Sequence, residues 1–293
     1  MLYLGIDLGS YLCRFVLIKS CFDRDPKIIF DKVKVVNFGK VKPGMLITSA
    51  AKLRVEKAFE SFSDYIKSAD KIYCFATAAL RNADKADEFI SSLEEKFGVN
   101  VEIISPKKEI FLASLGCKSY FNKRSIILDV GSGSTEIALV EKTNSGIILV
   151  KKWISLNLGL VNNKSSNRGA ELKRFETFIK SVKKTGFLLF SKCSILKTAY
   201  LYHHKKEPED GAVFDSKSLT KAKNDLKKLA ATNSLKYADI AKKRSALLKS
   251  GLPWISDLVE LSGFEKIIIA EKGVKEGMLE SMLNETKRSA SVV

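Results

Sequence analysis

Apolar runs suited to strands alternate along the chain with longer stretches whose apolar residues recur at helical spacing, and the alternation repeats. From Leu2 to Ser20 an apolar run leads into Asp7, Gly9-Ser10 follows, and a second apolar run covers Phe15 to Ile18. This pattern predicts strand, tight turn, strand. The same order returns at Ile126 to Val140, IILDVGSGSTEIALV, where Asp129, Gly131 and Ser132 stand 122 residues after Asp7, Gly9 and Ser10. One constant displacement through a whole hairpin points to an internal duplication.

The segments after each hairpin agree with that reading. Lys27 to Asn37 reads as a third strand, and Thr48 to Ala69 as one amphipathic helix with Leu53, Val55, Ala58, Phe59, Phe62 and Ile66 on its apolar face. Ile72 to Ala76 reads as a strand, Asp84 to Phe97 as a helix stopped by Gly98, and Val101 to Ile104 as a strand. A helix then opens at Ser105-Pro106, a standard start. The second half offers a strand at Ile147 to Leu156, a helix at Ala170 to Lys184, a strand at Phe187 to Phe190, a strand at Ile267 to Ala270 and a helix at Gly273 to Leu283. The predicted class is α/β, in two domains of about residues 1–122 and 123–293. The polar stretch Asn122 to Ser125 is the expected boundary, and the last helix is a candidate to pack back on the first domain. His203 to Ser216 reads as a surface connection, with His203 and His204 as solvent-facing loop residues rather than metal ligands, because no third ligand lies near them.

Composition narrows the setting. A chain of 293 residues with 45% hydrophobic content can bury a sizeable core. Its 50 Lys+Arg against 33 Asp+Glu give a formal charge of +17, a field that attracts polyanions such as nucleic acid, anionic lipid or polyphosphate. Lysine spread over solvated helix faces for solubility explains the same charge, so the charge does not choose a partner. The five cysteines, Cys13, Cys21, Cys74, Cys117 and Cys193, form no Cys-x-x-Cys pair and are expected to be reduced and mostly packed. Asp7 arrives too early for a signal-peptide apolar region, and no apolar run approaches the roughly 18 residues of a membrane helix. A cytoplasmic location without membrane contact is expected.

Candidate chemistry gathers at the two turns. Glycine at a strand-to-strand turn lets backbone N–H groups converge on an anion, because it lacks Cβ and tolerates positive φ. Two such turns, at Gly9-Ser10 and Gly131-Ser132-Gly133-Ser134, each follow an aspartate by two residues, and carboxylates there suit Mg²⁺ bridging phosphate oxygens. Asp7 could equally accept turn hydrogen bonds as a local structural residue. Neither turn carries a Walker or dinucleotide-binding glycine pattern.

At these residues the sequence resembles the exopolyphosphatase and guanosine pentaphosphate phosphatase family, a branch of the superfamily that contains actin, chaperone ATPases and sugar kinases. GIDLGS with Arg14 resembles the family's first phosphate loop and ILDVGSGSTE its second. ATAALRNA, Ala76 to Ala83, is similar to the stretch whose arginine binds phosphate, which maps to Arg81. VEIIS followed by Glu109 resembles the segment with the catalytic glutamate. Arg244, Ser250-Gly251 and KGVKEGML, Lys272 to Leu279, resemble the closing motifs.

The resemblance implies duplicated RNase-H-like domains with mixed sheets and a cleft between them. It also implies Mg²⁺ dependence and removal of terminal phosphate from polyphosphate or guanosine pentaphosphate. Glu109 would activate water and Arg81 would stabilise phosphoryl oxygens. Gly9, Ser10, Arg14, Gly131, Ser132, Gly133 and Ser134 would contact phosphate, and Asp129, Glu136 and Asp7 would hold metal. Outside the motifs, a glutamate in a first helical turn is common because the macrodipole favours it. The chain departs from the family pattern at Tyr11-Leu12, Pro106, Lys108, Phe111, Lys275 and the glycine-free stretch Ser191 to Ser194. That last change speaks against an adenosine-binding kinase. A catalytically weak sensor of polyphosphate or nucleotide is the alternative to the enzyme; no specific nucleic-acid partner is expected, and a homodimer is left open.

Overall fold

The computed structural model describes residues 1–21, 24–39, 41, 43–121, 123–161, 166–182, 188–232 and 245–290. Arg244, Phe187, Asn122 and the predicted helix end at 183–184 therefore lie outside the described residues. The chain divides into two compact units, Met1–Glu109 with Met278–Val293, and Ile110–Gly277.

The first unit opens with an antiparallel meander of β1 (Leu2–Leu8), β2 (Leu12–Cys21) and β3 (Arg24–Val35). After the short β4 (Met45–Leu46) come α1 (Ser49–Glu60) and α2 (Ser63–Ser68), then β5 (Lys71–Ala76), α3 (Ala78–Asn82), β6 (Ala83–Asp84), α4 (Ala86–Phe97), β7 (Val101–Ile103) and α5 (Pro106–Gly116). The predicted single helix over 48–69 is two helices. Thr48 caps α1 by accepting from Ala51 N, and at its end Ser61 donates to Lys57 O through both its N–H and its hydroxyl.

The main sheet has the order β3-β2-β1-β5-β7, with β5 parallel to β1 and β7 parallel to β5. Alternation along β1 sorts its side chains: Leu4, Ile6 and Leu8 join Phe15 of β2 and Val55 and Phe59 of α1 in one core. Phe15 stacks on Phe62 at 4.4 Å and meets Phe59 edge-on at 5.5 Å. On the opposite face Gly5 leaves room for the last helix, α10 (Val274–Ala290), since a Cβ there would lie 2.3 Å from Met278 Cε.

The second unit repeats the plan. β8 (Arg124–Val130), β9 (Thr135–Lys142) and β10 (Ile148–Leu156) form the meander, followed by α6 (Arg168–Ser181), β11 (Leu188–Ser191), α7 (Ser194–His204), β12 (Ala212–Asp215), α8 (Ser216–Thr232), α9 (Ser245–Ser262) and β13 (Lys266–Ile269). The sheet order is β10-β9-β8-β11-β13-β12, with β8, β11 and β13 parallel and β12 an added antiparallel edge. Apart from that edge, both sheets share one order and one set of strand directions, the RNase-H-like arrangement, so the fold is a duplicated mixed α/β architecture.

The central strands are apolar on both faces, as strands covered by helices must be. Ile126, Leu128 and Phe190 face the core under α6, α7 and α9. Ile127, Ala138 and Leu189 face Ile110, Ala113 and Cys117 of the α5 side. The stretch read as a loop over 203–216 holds the two histidines in the last turn of α7, then β12, whose Phe214 is fully buried. No helix among the described residues is long and apolar enough to cross a membrane.

Candidate active site

In the second unit the loop after β8 is built on its neighbours. Gly131 O accepts from Leu160 N at 2.9 Å and Ser132 O accepts from Val161 N at 3.0 Å. In a trans peptide the carbonyl of one residue and the N–H of the next point in opposite directions. The N–H groups of Ser132 and Gly133 therefore aim away from residues 158–161, side by side, in the manner of an anion-binding nest. Neither Gly9 nor Gly131 has a positive φ, contrary to the freedom expected of these glycines; what the turns use there is the missing Cβ. At Gly159 a Cβ would lie 2.5 Å from Gly131 O, so glycine alone permits this approach.

The supporting segment is itself anchored. Thr135 Oγ1 donates to Leu158 O at 2.7 Å and accepts from Trp254 Nε1 at 3.0 Å, both side chains being fully buried. Ser250 Oγ donates to Leu160 O at 2.5 Å. Helix α9 thus holds residues 158–161, and these hold the loop. Of this chain of contacts the sequence motifs quoted Gly131, Ser132, Thr135 and Ser250, with no anchoring role given to Thr135 or Ser250. Gly159 and Trp254 were missed; a glycine three residues after the end of β10 was the one available signal.

Asp129 and Glu136 face each other in register on β8 and β9, with a carboxylate oxygen of one within 4.8 Å of a carboxylate oxygen of the other. Glu136 Oε1 accepts from Ser155 Oγ at 2.9 Å, and Asp129 accepts from Ser191 Oγ, the residue opposite it on β11. Burial pushes the Asp129 carboxyl up to about 6, although the Ser191 hydroxyl pulls it down. Its charged form is disfavoured in the folded state without a cation. Two carboxylates meeting at strand ends beside hydroxyls form a hard oxygen donor set, which fits a divalent cation such as Mg²⁺.

A stability consequence follows from the raised value. The contribution of Asp129 is fully present below the unfolded carboxyl value of about 4. It is lost as pH rises through about 6. Replacement by Asn should therefore flatten the fall in chemical-denaturation stability between pH 4 and about 6 in metal-free buffer.

In the first unit Ser105 accepts from Lys108 N through its hydroxyl and from Glu109 N through its carbonyl, opening α5 as predicted and setting Glu109 in the first turn. Glu109 is only 7% exposed. Arg81 Nη1 donates to Glu109 Oε2 at 3.0 Å and to Ile104 O at 2.8 Å, so the two predicted catalytic residues are hydrogen-bonded partners. Lys108, one of the departures from the family pattern, turns to Glu102 at 2.6 Å.

The first turn is less committed to a ligand. Gly9 N–H closes on Leu12 O at 3.0 Å, and Arg14 donates to Asp31 on β3 at 2.6 Å, so a phosphate would share that guanidinium. Asp7 lies opposite Arg14 in the β1–β2 register and is partly buried.

Elsewhere, burial raises the thiols of Cys13, Cys74, Cys117 and Cys193, the last to about 11, so they stay protonated at neutral pH and are poor nucleophiles. Among the described residues neither His203 nor His204 belongs to a group of three metal-ligating side chains.

The family model of the Ppx/GppA phosphatase family matches residues 22–286. The chain belongs to the Ppx/GppA phosphatase family. It is 26% identical to a bifunctional 3-dehydroquinate synthase/phosphatase of Fusobacterium nucleatum over 91% of this chain and 44% of that protein. It is 27% identical to a guanosine-5'-triphosphate,3'-diphosphate pyrophosphatase of Aeromonas hydrophila over 62% of this chain and 37% of the relative. The chain thus spans less than half the length of these curated relatives. In fold it is similar to the crystal structure of the Aquifex aeolicus Ppx/GppA family member, with a TM-score of 0.76 at 23% identity and 98% of each chain covered. An exopolyphosphatase from Cytophaga hutchinsonii gives a TM-score of 0.77 at 17% identity, with 97% of this chain and 98% of that one covered.

Proposed function

We propose that this Ppx/GppA chain is a phosphohydrolase that releases terminal phosphate from inorganic polyphosphate or guanosine pentaphosphate by attack of water. The observation that carries the reading is the loop at 131–134, whose Ser132 and Gly133 N–H groups are turned outward by the anchoring of Gly131 O and Ser132 O, directly after Asp129. Such donors suit the oxygens of a phosphoryl group. Asp129 and Glu136 would hold Mg²⁺, which when bound neutralises charge on phosphoryl oxygens.

Glu109 is the base in this reading. It takes a proton from water as the water oxygen bonds to the terminal phosphorus and the bridging P–O bond breaks toward the rest of the substrate. Arg81 orients Glu109 and offers positive charge to the reacting phosphoryl. A cytoplasmic setting, with no membrane partner, fits such substrates. Phosphate release from polyphosphate and from guanosine pentaphosphate, each with and without Mg²⁺, tests the proposal: release of phosphate that requires the metal supports it, and no release from either substrate defeats the enzymatic reading.

A second reading rests on the Arg81–Glu109 ion pair at 3.0 Å. The guanidinium holds Oε2 of the carboxylate that would otherwise take a proton from water. A protein that binds these polyanions without turning them over, as a sensor, fits that feature; it would bind polyphosphate and release no phosphate.

The formal charge of +17 also bears on affinity. Surface charges are screened beyond about 10 Å at 0.1 M salt. If the lysines at 173–184 and 217–228 guide long chains, affinity for long polyphosphate should fall more steeply with salt than affinity for pyrophosphate. Equal salt slopes for the two would assign those lysines to solubility.

A further inference from the structure

Strands β8, β11 and β13 run parallel, so the segments that follow them leave the second sheet at one edge. That edge is where ligands meet open α/β sheets. The loop 131–134 follows β8, and the turn after β11 is Lys192-Cys193. Residues 270–273 follow β13 and lead into α10. Ser191 at the end of β11 turns its hydroxyl inward to Asp129 and is 2% exposed.

Lys192, the next residue, has φ +33. This left-handed conformation costs energy for a residue with a Cβ and is ordinarily left to glycine or asparagine. Among the described residues three other non-glycine positions have positive φ, and two of them, Lys85 and Lys205, stand at helix ends. Lys205 is the residue that closes α7, where a left-handed residue is routine. Lys192, like Lys85, lies between a strand and a helix. Backbone outliers of this kind persist only where the surrounding structure holds them, and they concentrate at ligand-holding turns.

The side chain has an acidic neighbour. Lys192 Nζ lies 3.7 Å from Glu276 Oε1, and Lys275 Nζ lies 2.8 Å from the same oxygen. The other oxygen of Glu276 accepts from Gly273 N at 2.9 Å. One carboxylate therefore faces two ammonium groups. Lys275 is the closer and more buried of the two, with an 11% exposed side chain against 35% for Lys192. At 3.7 Å the Lys192–Glu276 pair is long and half-buried, and of the two ammonium groups Lys192 is the less tightly held by this carboxylate. Lysine carries its charge on a flexible four-carbon stem that can swing to a new acceptor.

We propose that Lys192 is a specificity-determining residue for polyanions, resting on Glu276 until a phosphate chain reaches the edge of the second sheet and then pairing with a phosphate beyond the terminal one. This rests on the reading of the chain as a binder and hydrolase of phosphoanhydrides, and assigns to one side chain the preference for substrates longer than pyrophosphate. Lys192 contacts no reacting atom in this scheme, so its removal weakens binding of the chain more than it slows the chemistry.

The test uses the full chain and two variants. Lys192→Gly removes the ammonium and relieves the backbone, whereas Lys192→Gln removes the ammonium and keeps the left-handed residue. Both should raise KM for long-chain polyphosphate about tenfold with kcat held within about twofold, as expected for one charge-assisted phosphate contact made before and during reaction. Constants for pyrophosphate should move less than about twofold. Calorimetric titration with polyphosphate should show the same loss of affinity, and Lys192→Gly alone should raise the unfolding midpoint. Unchanged KM and affinity in both variants, beside an active wild type, would overturn the proposal and leave the hydrolase reading standing; so would a fall in kcat with KM unchanged. A wild type that neither binds nor hydrolyses polyphosphate would instead defeat the hydrolase reading, and this inference with it.

Discussion

Glu109→Gln should lower kcat for phosphate release about 10²–10⁴-fold, the usual contribution of a general base, while polyphosphate binding persists. The substitution keeps the volume of a side chain that is 7% exposed, so packing against α5's neighbours changes little. It also keeps an oxygen to accept from Arg81, whose guanidinium stays held by Ile104 O at 2.8 Å. What is lost is the charge that takes the proton. Single-turnover phosphate release and equilibrium binding, measured on the same preparation, separate the two effects. Equal loss of binding and turnover would mean that Glu109 organises the fold around Arg81 rather than the chemistry. No change in an already silent wild type would favour the sensor.

Gly159→Ala should be the most damaging small substitution near the phosphate loop. The added Cβ would lie 2.5 Å from Gly131 O and 2.7 Å from the carbonyl carbon of Ser132, backbone atoms that no rotamer change can move aside. The segment must shift, and the bonds from Leu160 N and Val161 N that aim the loop stretch or break. Forced overpacking of this kind costs about 1–3 kcal/mol of stability, readable as a lower urea midpoint at unchanged slope. Affinity for polyphosphate should fall at least about tenfold, because misaimed donors are close to useless in geometry-dependent hydrogen bonding. Gly169→Ala on α6 is the control: nothing lies within 4 Å of its added Cβ, so affinity should hold and the urea midpoint should not fall. A Gly159→Ala protein that binds polyphosphate like the wild type would remove the 131–134 loop from the phosphate site.

Much of this arrangement was legible along the chain because it is local. The two hairpins announce themselves by apolar runs on either side of the turns after Asp7 and Asp129, and the constant displacement between them carries over to the matching order of the two sheets. Glu109 and Arg81 were picked from their motifs, and their hydrogen bond joins residues that strands β5 and β7 bring to neighbouring sheet ends. The missing parts are long-range. Trp254 supports Thr135 across 119 residues of chain, and Ser191 reaches Asp129 across 62. Neither pairing leaves a periodic trace in sequence. Strand β12 was hidden because an edge strand of four residues with one buried side chain, Phe214, looks like a loop. The split of the first long helix falls at Phe62, whose backbone leaves the helical region while its side chain stays buried, a break that apolar spacing does not record.

The two compact units meet in sequence inside α5, at Glu109–Ile110, and the last helix is shared in the same way at Gly277–Met278. The polar stretch at 122–125 was read as the boundary because it is polar. Its described part leads straight into β8, whose Ser125 is fully buried. Polarity marks exposure of some side chains there, whereas the contacts that define the units follow the helices. Near α10, Gly116 and Gly277 show how closely α5 and α10 cross within the second unit: a Cβ on Gly277 would lie 1.8 Å from Leu112 O.

The most direct test of water attack on a terminal phosphate is hydrolysis of polyphosphate by the full chain in ¹⁸O-labelled water with Mg²⁺, followed by mass analysis of the released orthophosphate. The account predicts metal-dependent release in which each orthophosphate carries one oxygen from solvent, because the bond formed is between water oxygen and phosphorus. Release without solvent oxygen, or no release by a protein that still folds, would contradict it.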